Sequence, residues 1–184
     1  MASSGGPDGI STGLVACYDA ANKSSYPGSG TSWYDLSGNV NNGTLTNGPV
    51  YSNTNGGVIV FDGVDDYVAI PFNSALVTNT VTVNMWCYAD TLNVYKTPFT
   101  SEPVLGSGIN GYGFRQRGDN TWWWVIGYEG NGAVVSTSLT QNTWVNLIGI
   151  YDGTTLQLYK NGVSQGTAGG GGRVVNFTSP SING

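Results

Sequence analysis

Short turn signals cut this chain into pieces too brief for helices. "FDGVDD", "YDGT", "YKNG", "RGDN", "NNG" and "TNGG" recur along it. Asp-Gly and Asn-Gly suit hairpins because their residues accept the positive φ that tight hairpin turns require. Between the turns lie extended runs at Leu14–Tyr18, Val58–Phe61, Tyr67–Pro71, Val81–Tyr88, Gly111–Arg117, Trp122–Tyr128, Ala133–Ser138, Trp144–Tyr151, Leu156–Lys160 and Arg173–Phe177. Apolar and polar residues alternate clearly in "VTVNMWCYA" and "TTLQLYKNG". No stretch has helical periodicity of useful length. Short strands at this spacing predict an all-β fold, a sandwich or barrel of antiparallel strands.

The composition agrees. Aromatics at 12% and apolar residues at 39% can fill a core, while charged residues at 9% leave a surface of hydroxyls and amides. The 184 residues suit one domain over 1–184, with 1–11 as a flexible N-terminal arm. Residues 22–55 read as a long loop pinned down by Trp33, Tyr34 and Leu36. "GTAGGGGR" at 166–173 has no such anchors and reads as mobile.

Several functions are disfavoured. The net charge is −5 with 6 Lys and Arg in all, so nucleic acid is not an expected partner. No apolar run approaches the ~20 residues of a spanning helix, so no membrane is expected either. The opening "MASSGGPDGIS" lacks the basic and apolar regions of a secretory signal. Histidine is absent, which removes the usual general base and the commonest metal ligand. Glu102 and Glu129 are the only glutamates. Cys17 and Cys87 read as two small buried hydrophobes rather than a disulfide framework.

"GYGFRQRGDNTWWWVIGY" reads as a hairpin. A two-residue loop of Gly118 and Asp119 pairs Arg115 with Trp122, Phe114 with Trp123 and Gly113 with Trp124. Side chains alternate along a strand. In that register Tyr112, Phe114, Trp123 and Val125 face the core, and Arg115, Arg117, Trp122, Trp124 and Tyr128 form an aromatic and cationic surface. Such a surface suits sugar rings or a protein partner. A three-residue loop would instead put Phe114 and Trp124 on one face and break the platform up. Burial of rings on both faces is the plain alternative.

Asp62, Asp65 and Asp66 in "FDGVDD" offer oxygen ligands for a calcium ion. Turn bracing by carboxylates on backbone amides is the favoured reading of them, as of Asp35, Ser37 and Asn39. No other cofactor is expected. "RGD" within "QRGDN" is accounted for by its turn. "NGT" at 42–44 and "NFT" at 176–178 match the glycosylation pattern, and without a signal sequence are expected to be unused.

The order of several pieces resembles the concanavalin A-like lectin/glucanase superfamily, in its laminin-G-like branch. These are "GLVACYDA", "WYDLSGNVNNGTLTNGPVY", "GGVIVFDGVDDYVAIP", "VTVNMWCYAD" and "NTWVNLIGIYDGTTLQLYKNGV". The resemblance implies an antiparallel jelly-roll β-sandwich. It does not imply catalysis, because the glucanase motif Glu-x-Asp-x-x-Glu has no counterpart here. "YDAANKSSYPGSGTSWYDLSGNVNNGT" also resembles domains of tailed-bacteriophage virion proteins, particularly those of cyanobacterial phages. That implies a non-enzymatic structural protein, made in the host cytoplasm and located in the virion. It would decorate or cement a capsid or belong to a tail fibre, with other virion proteins or its own copies as partners. The alternative is a carbohydrate-binding module that attaches a larger protein or particle to glycans, outside the cell by a non-classical route. The family's closing strand is expected after "SPSING", where this chain stops. The strand Leu14, Val15, Ala16, Cys17 and Tyr18 is therefore expected to present an open edge to a partner.

Overall fold

The computed structural model describes residues 12–101, 111–127, 132–171, 175 and 181–183. Their regular structure is β-strand throughout, apart from two single-turn 3₁₀ segments. None of the described helices is long and apolar enough to cross a membrane. The chain divides into two compact units, Met1–Pro71 and Phe72–Gly184.

The first unit holds β1 (Ser32–Trp33), β2 (Gly43–Thr46), β3 (Val50–Ser52), β4 (Val58–Val60) and β5 (Tyr67–Pro71). Antiparallel pairing joins β1 to β2, β2 to β5, and β3 to β4. Tyr26, Leu45 and Val68 form its core, with Trp33, Tyr51, Ile59 and Ile70 packed around them. The segment 22–55 is thus partly strand rather than one long loop. Trp33 does anchor it, edge-on to Tyr18 with ring centroids 5.7 Å apart, whereas Tyr34 and Leu36 are exposed.

The expected opening strand Leu14–Tyr18 does not form; this stretch is non-regular. Side chains of the following loop occupy its backbone instead. Asp35 accepts from the Cys17 amide at 2.9 Å, and Ser37 Oγ and Asn41 Nδ2 donate to the Val15 carbonyl at 3.0 and 2.8 Å. Asn39 Nδ2 donates to the Leu14 carbonyl at 2.8 Å, and the Leu36 amide to the Cys17 carbonyl at 2.8 Å. Backbone groups that find local side-chain partners have no need of a neighbouring strand.

The second unit holds β6 (Val81–Tyr88), β7 (Lys96–Thr100), β8 (Tyr112–Gln116), β9 (Thr121–Ile126), β10 (Ala133–Ser138), β11 (Trp144–Tyr151), β12 (Thr155–Lys160), β13 (Val163–Gly169) and β14 (Ser181–Asn183). One sheet runs β14-β7-β8-β9-β10 and the other β13-β12-β11-β6, all antiparallel. Four elements differ from expectation, the unforeseen β7 among them. Residues 166–169 of the Gly-rich tract belong to β13 and pair with β12 instead of lying free. Val175, within the expected strand 173–177, lies outside any strand. A final three-residue strand is present, with Asn183 opposite Thr100.

The two sheets face each other through alternate residues. β11 sends Val145, Leu147 and Tyr151 inward and β12 sends Leu156 and Leu158, all buried. From the other sheet come Tyr112, Phe114, Trp122, Trp124 and Ile126. Trp124, fully buried, sits on Gly149, where a Cβ would stand 2.5 Å from ring atom Cε3. Its Nε1 donates to the Ile150 carbonyl at 3.1 Å. Glycine at this β11 position is therefore what admits an indole between the sheets.

Candidate functional site

The β8–β9 hairpin closes with three residues, not two. The Asn120 amide donates to the Arg117 carbonyl at 3.0 Å, and the Arg117 amide to the Thr121 carbonyl at 3.0 Å. Asn120 takes the left-handed conformation at φ 62°, which asparagine tolerates better than most residues. Its side chain is held by Asn93: Oδ1 accepts from the Asn93 amide at 2.8 Å, and Nδ2 donates to Asn93 Oδ1 at 3.1 Å. The register moves by one residue, to Phe114 opposite Trp124, Arg115 opposite Trp123 and Gln116 opposite Trp122.

Every tryptophan of the run changes face as a result. Trp122 and Trp124 go to the core, at 2% and 0% exposure, and the expected platform breaks up. Trp123 goes to the other face, half-buried, its Nε1 donating to Thr121 Oγ1 at 2.8 Å. Arg115 shares that face and is buried. Arg117 stays near the surface between two rings, 4.4 Å from the Trp123 centroid and 4.6 Å from that of Tyr95. A guanidinium stacked this way is held by the quadrupoles of both rings. Tyr128 lies outside the described residues, as do Glu102, Glu129 and the 176–178 motif.

A larger aromatic surface lies on the second sheet. Along β6, Val81, Val83, Met85 and Cys87 turn inward, and Thr82, Asn84, Trp86 and Tyr88 turn to solvent. Trp86 is 65% exposed and Tyr88 46%. On β11, Tyr88 is opposite Trp144, Trp86 opposite Asn146, and Asn84 opposite Ile148. β12 continues the face with Tyr159 opposite Ile148. The Tyr88 and Trp144 rings lie 5.6 Å apart at 52°. Asn146 Nδ2 donates to Asn84 Oδ1 at 2.7 Å, and the Asn146 amide to Asn161 Oδ1 at 2.9 Å. A turn fixes one end: Tyr88 OH donates to Asn142 Oδ1 at 3.3 Å, and the Asn142 amide to the Ala89 carbonyl at 2.9 Å. Beneath the face, burial pushes the Cys87 thiol up to about 12, so it behaves as an inert filler. Cys17 and Cys87 are both half-buried free thiols.

The signal for this face lay in "VTVNMWCY": a tryptophan and a tyrosine stand at the alternate positions otherwise held by Thr and Asn. Large rings at polar positions mark rings left in solvent.

Carboxylates in two turns accept hydrogen bonds from backbone amides. Asp62, Asp65 and Asp66 each place a carboxylate oxygen within 4.8 Å of the others. Asp62 Oδ1 accepts from the Val64 amide at 2.8 Å, and Asp66 Oδ2 from the Asp62 amide at 2.9 Å. Asp35 gathers Ser37 Oγ at 2.7 Å and the amides of Cys17, Ser37 and Asn41 at 2.8–3.0 Å. Burial raises its pKa, but these hydrogen bonds outweigh that and hold the carboxyl below its ordinary range.

Comparison with known proteins fits this architecture. A laminin G family model of the concanavalin A-like lectin/glucanases superfamily matches residues 62–183, more than half of the chain. No curated protein matches in sequence. Among solved structures, domain 4 of AbnA, a GH43 extracellular arabinanase from Geobacillus stearothermophilus solved with arabinotriose, is similar at 18% identity and TM-score 0.69. That match covers 92% of this chain and 81% of the domain. The binding domain of Paraclostridial Mosquitocidal Protein 1 is similar at 15% identity and TM-score 0.71, covering 95% of this chain and 44% of that one. The binding domain of botulinum neurotoxin DC, solved with rat synaptotagmin II, is similar at 14% identity and TM-score 0.62, covering 95% and 44%. The chain thus spans less than half the length of these toxin domains. With a sandwich of antiparallel sheets and a family model matching residues 62–183, the chain belongs to the concanavalin A-like lectin/glucanase superfamily, as a jelly-roll β-sandwich of the laminin-G-like kind.

Proposed function

We propose that this protein is a non-catalytic carbohydrate-binding module, and that the outer face of β6, β11 and β12 is its binding surface. The observation that carries the reading is Trp86, an indole 65% exposed at the centre of a regular strand and flanked by Tyr88 and Trp144. Leaving so much ring in water is unfavourable by roughly 25 cal/mol per Å² unless something covers it. Sugars offer the right complement, C–H faces for the rings and hydroxyls for Asn84 and Asn146. A strand also holds the rings rigidly, so little side-chain entropy is lost on binding. The arabinanase domain solved with arabinotriose, and botulinum neurotoxin type C, whose cell entry depends on interaction with two ganglioside molecules, support the reading by analogy of fold.

The test is a glycan array followed by titration calorimetry. Trp86→Ala is expected to weaken binding by ~2 kcal/mol or more, while shifting stability by no more than ~0.5 kcal/mol, as for surface positions generally. An array without any hit, on folded protein, refutes the reading.

A virion setting is a second proposal, favoured only by the resemblance of residues 18–44 to phage virion domains. It concerns where the module is carried. Failure to co-sediment with any phage particle would remove it and leave carbohydrate binding untouched.

A further inference from the structure

We infer that the outer face of β6, β11 and β12 takes a neutral, extended polysaccharide, several sugar units at a time. This rests on the carbohydrate-binding reading and narrows it to a ligand class.

Charge is the first ground. The outward positions are Thr82, Asn84, Trp86 and Tyr88 on β6, Trp144, Asn146, Ile148 and Ile150 on β11, and Thr155, Gln157 and Tyr159 on β12. None is Asp, Glu, Lys, Arg or His. The one charged residue of these strands, Lys160, pairs opposite the buried Leu147, and its Nζ donates to the Ser138 carbonyl at 2.7 Å. The nearest carboxylates in sequence lie beyond the strand ends. Asp152 accepts from the Thr154 and Thr155 amides at 2.9 and 2.7 Å, and Asp90 from the Thr91 hydroxyl at 2.9 Å. A uronate or sulfate laid on this face would lose water and meet no counter-charge, which is costly. The net charge of −5 adds repulsion at longer range.

Shape is the second ground. From Asn84 to Tyr88 the face runs ~13 Å along the strand, and from β6 to β12 ~10 Å across, at ordinary strand spacings. Every residue named here is on a strand, and a strand face has no wall of its own. A flat platform cannot enclose one sugar. It can meet successive rings of a chain with Tyr88, Trp86 and Trp144, so affinity grows with ligand length. Asn146 Nδ2 and Asn84 Oδ1 satisfy one another. The Asn84 NH₂ and the Asn146 Oδ1 remain for hydroxyls, which are both donors and acceptors.

The test is affinity electrophoresis of the full chain in native gels cast with neutral polymers (arabinan, galactomannan, mixed-linkage glucan) or acidic ones (polygalacturonate, alginate). A neutral polymer is expected to retard the protein, equally at low and high salt. Its monosaccharides are expected not to compete. Trp86→Ala and, separately, Tyr88→Ala should each lower the affinity about tenfold or more. Asn84→Asp, which puts a charge on the platform, should weaken it too. Retardation by acidic polymers alone, or full competition by a single sugar, overturns the ligand class and leaves carbohydrate binding standing. Retardation by no polymer, with a blank array, removes both. A concentration-dependent dimer abolished by Trp86→Ala, in protein that no glycan retards, assigns the face to a second copy and overturns the inference.

Discussion

Adding one methyl group at Gly149 tests the sandwich core. Glycine inside a strand is ordinarily a liability of ~0.5–1 kcal/mol relative to alanine, so Gly149→Ala would stabilise the protein if the site were open. Here the added Cβ would stand 2.5 Å from Cε3 and 2.6 Å from Cε2 of Trp124. These are carbons of a rigid ring, and Trp124 is fully buried with its indole nitrogen bonded to β11. The ring must move or the sheets must part. Overpacking of this kind costs ~1–3 kcal/mol, and the depth of the overlap places Gly149→Ala at the upper end.

The reciprocal change, Trp124→Ala, leaves a cavity and costs ~3–5 kcal/mol. In the double variant the methyl enters space the indole has vacated, so the two penalties should not add; a coupling of ~2–3 kcal/mol is expected between groups in such contact. The assay is urea unfolding of the wild type and the three variants, with thermal melts alongside. A loss of ~3 kcal/mol corresponds to a fall in Tm of about 6–12 °C for a chain of this size. Gly149→Ala within ~0.5 kcal/mol of wild type, or penalties that simply sum, would refute the seating of Trp124 on β11 and the register that puts it there.

Asp35→Ala is expected to cost ~2 kcal/mol, because it strips the acceptor from a hydroxyl and three backbone amides at once. Chemical denaturation measures this, and faster amide exchange at Cys17 and Asn41 should accompany it. The depressed pKa of Asp35 fixes a sign: its contribution is whole above the ordinary value of 3.8 and fades as pH falls through the lower folded value, so Asp35→Asn should flatten acid unfolding below about pH 4. For the Asp62, Asp65 and Asp66 loop, EGTA should leave Tm unchanged, since turn amides already occupy Asp62 Oδ1 and Asp66 Oδ2; a drop reversed by Ca²⁺ would show that an ion is held there.

Much of the second unit was legible in the sequence. The runs at Val81–Tyr88, Ala133–Ser138 and Trp144–Tyr151 coincide with β6, β10 and β11, as Tyr67–Pro71 does with β5 in the first unit. All four rest on β-branched and aromatic content between turn residues. The second unit's strands that escaped notice carry interrupting residues instead. β13 reads "VSQGTAG" and is held by pairing with β12 across a bulge at Leu158/Tyr159. β7 reads "KTPFT", with a proline inside and an irregular register to β8. Leu14–Tyr18 failed in the opposite direction. It has the composition of a strand, but its partners are the polar side chains of Asp35, Ser37, Asn39 and Asn41 rather than another strand's backbone. Propensity describes how a segment suits a sheet, not whether a neighbour is there to receive it.

The two aromatic stretches show when a sequence assigns a face and when it does not. In "VTVNMWCY" the two sets of alternate residues differ in kind. Val, Val, Met and Cys belong inside, so Thr, Asn, Trp and Tyr face out without any knowledge of the turns. In "TWWWVI" both sets are aromatic or apolar, and composition cannot tell core from surface. The assignment then hangs on the loop, and Asn120 at φ 62° makes that loop three residues long. One residue of loop length moved Trp122 and Trp124 from the surface to the core and Trp123 the other way. The densest cluster of tryptophans is for this reason the weaker guide to a binding site. A single tryptophan at a position that alternation reserves for polar residues says more, because folding alone gives no cause for a ring to stand there.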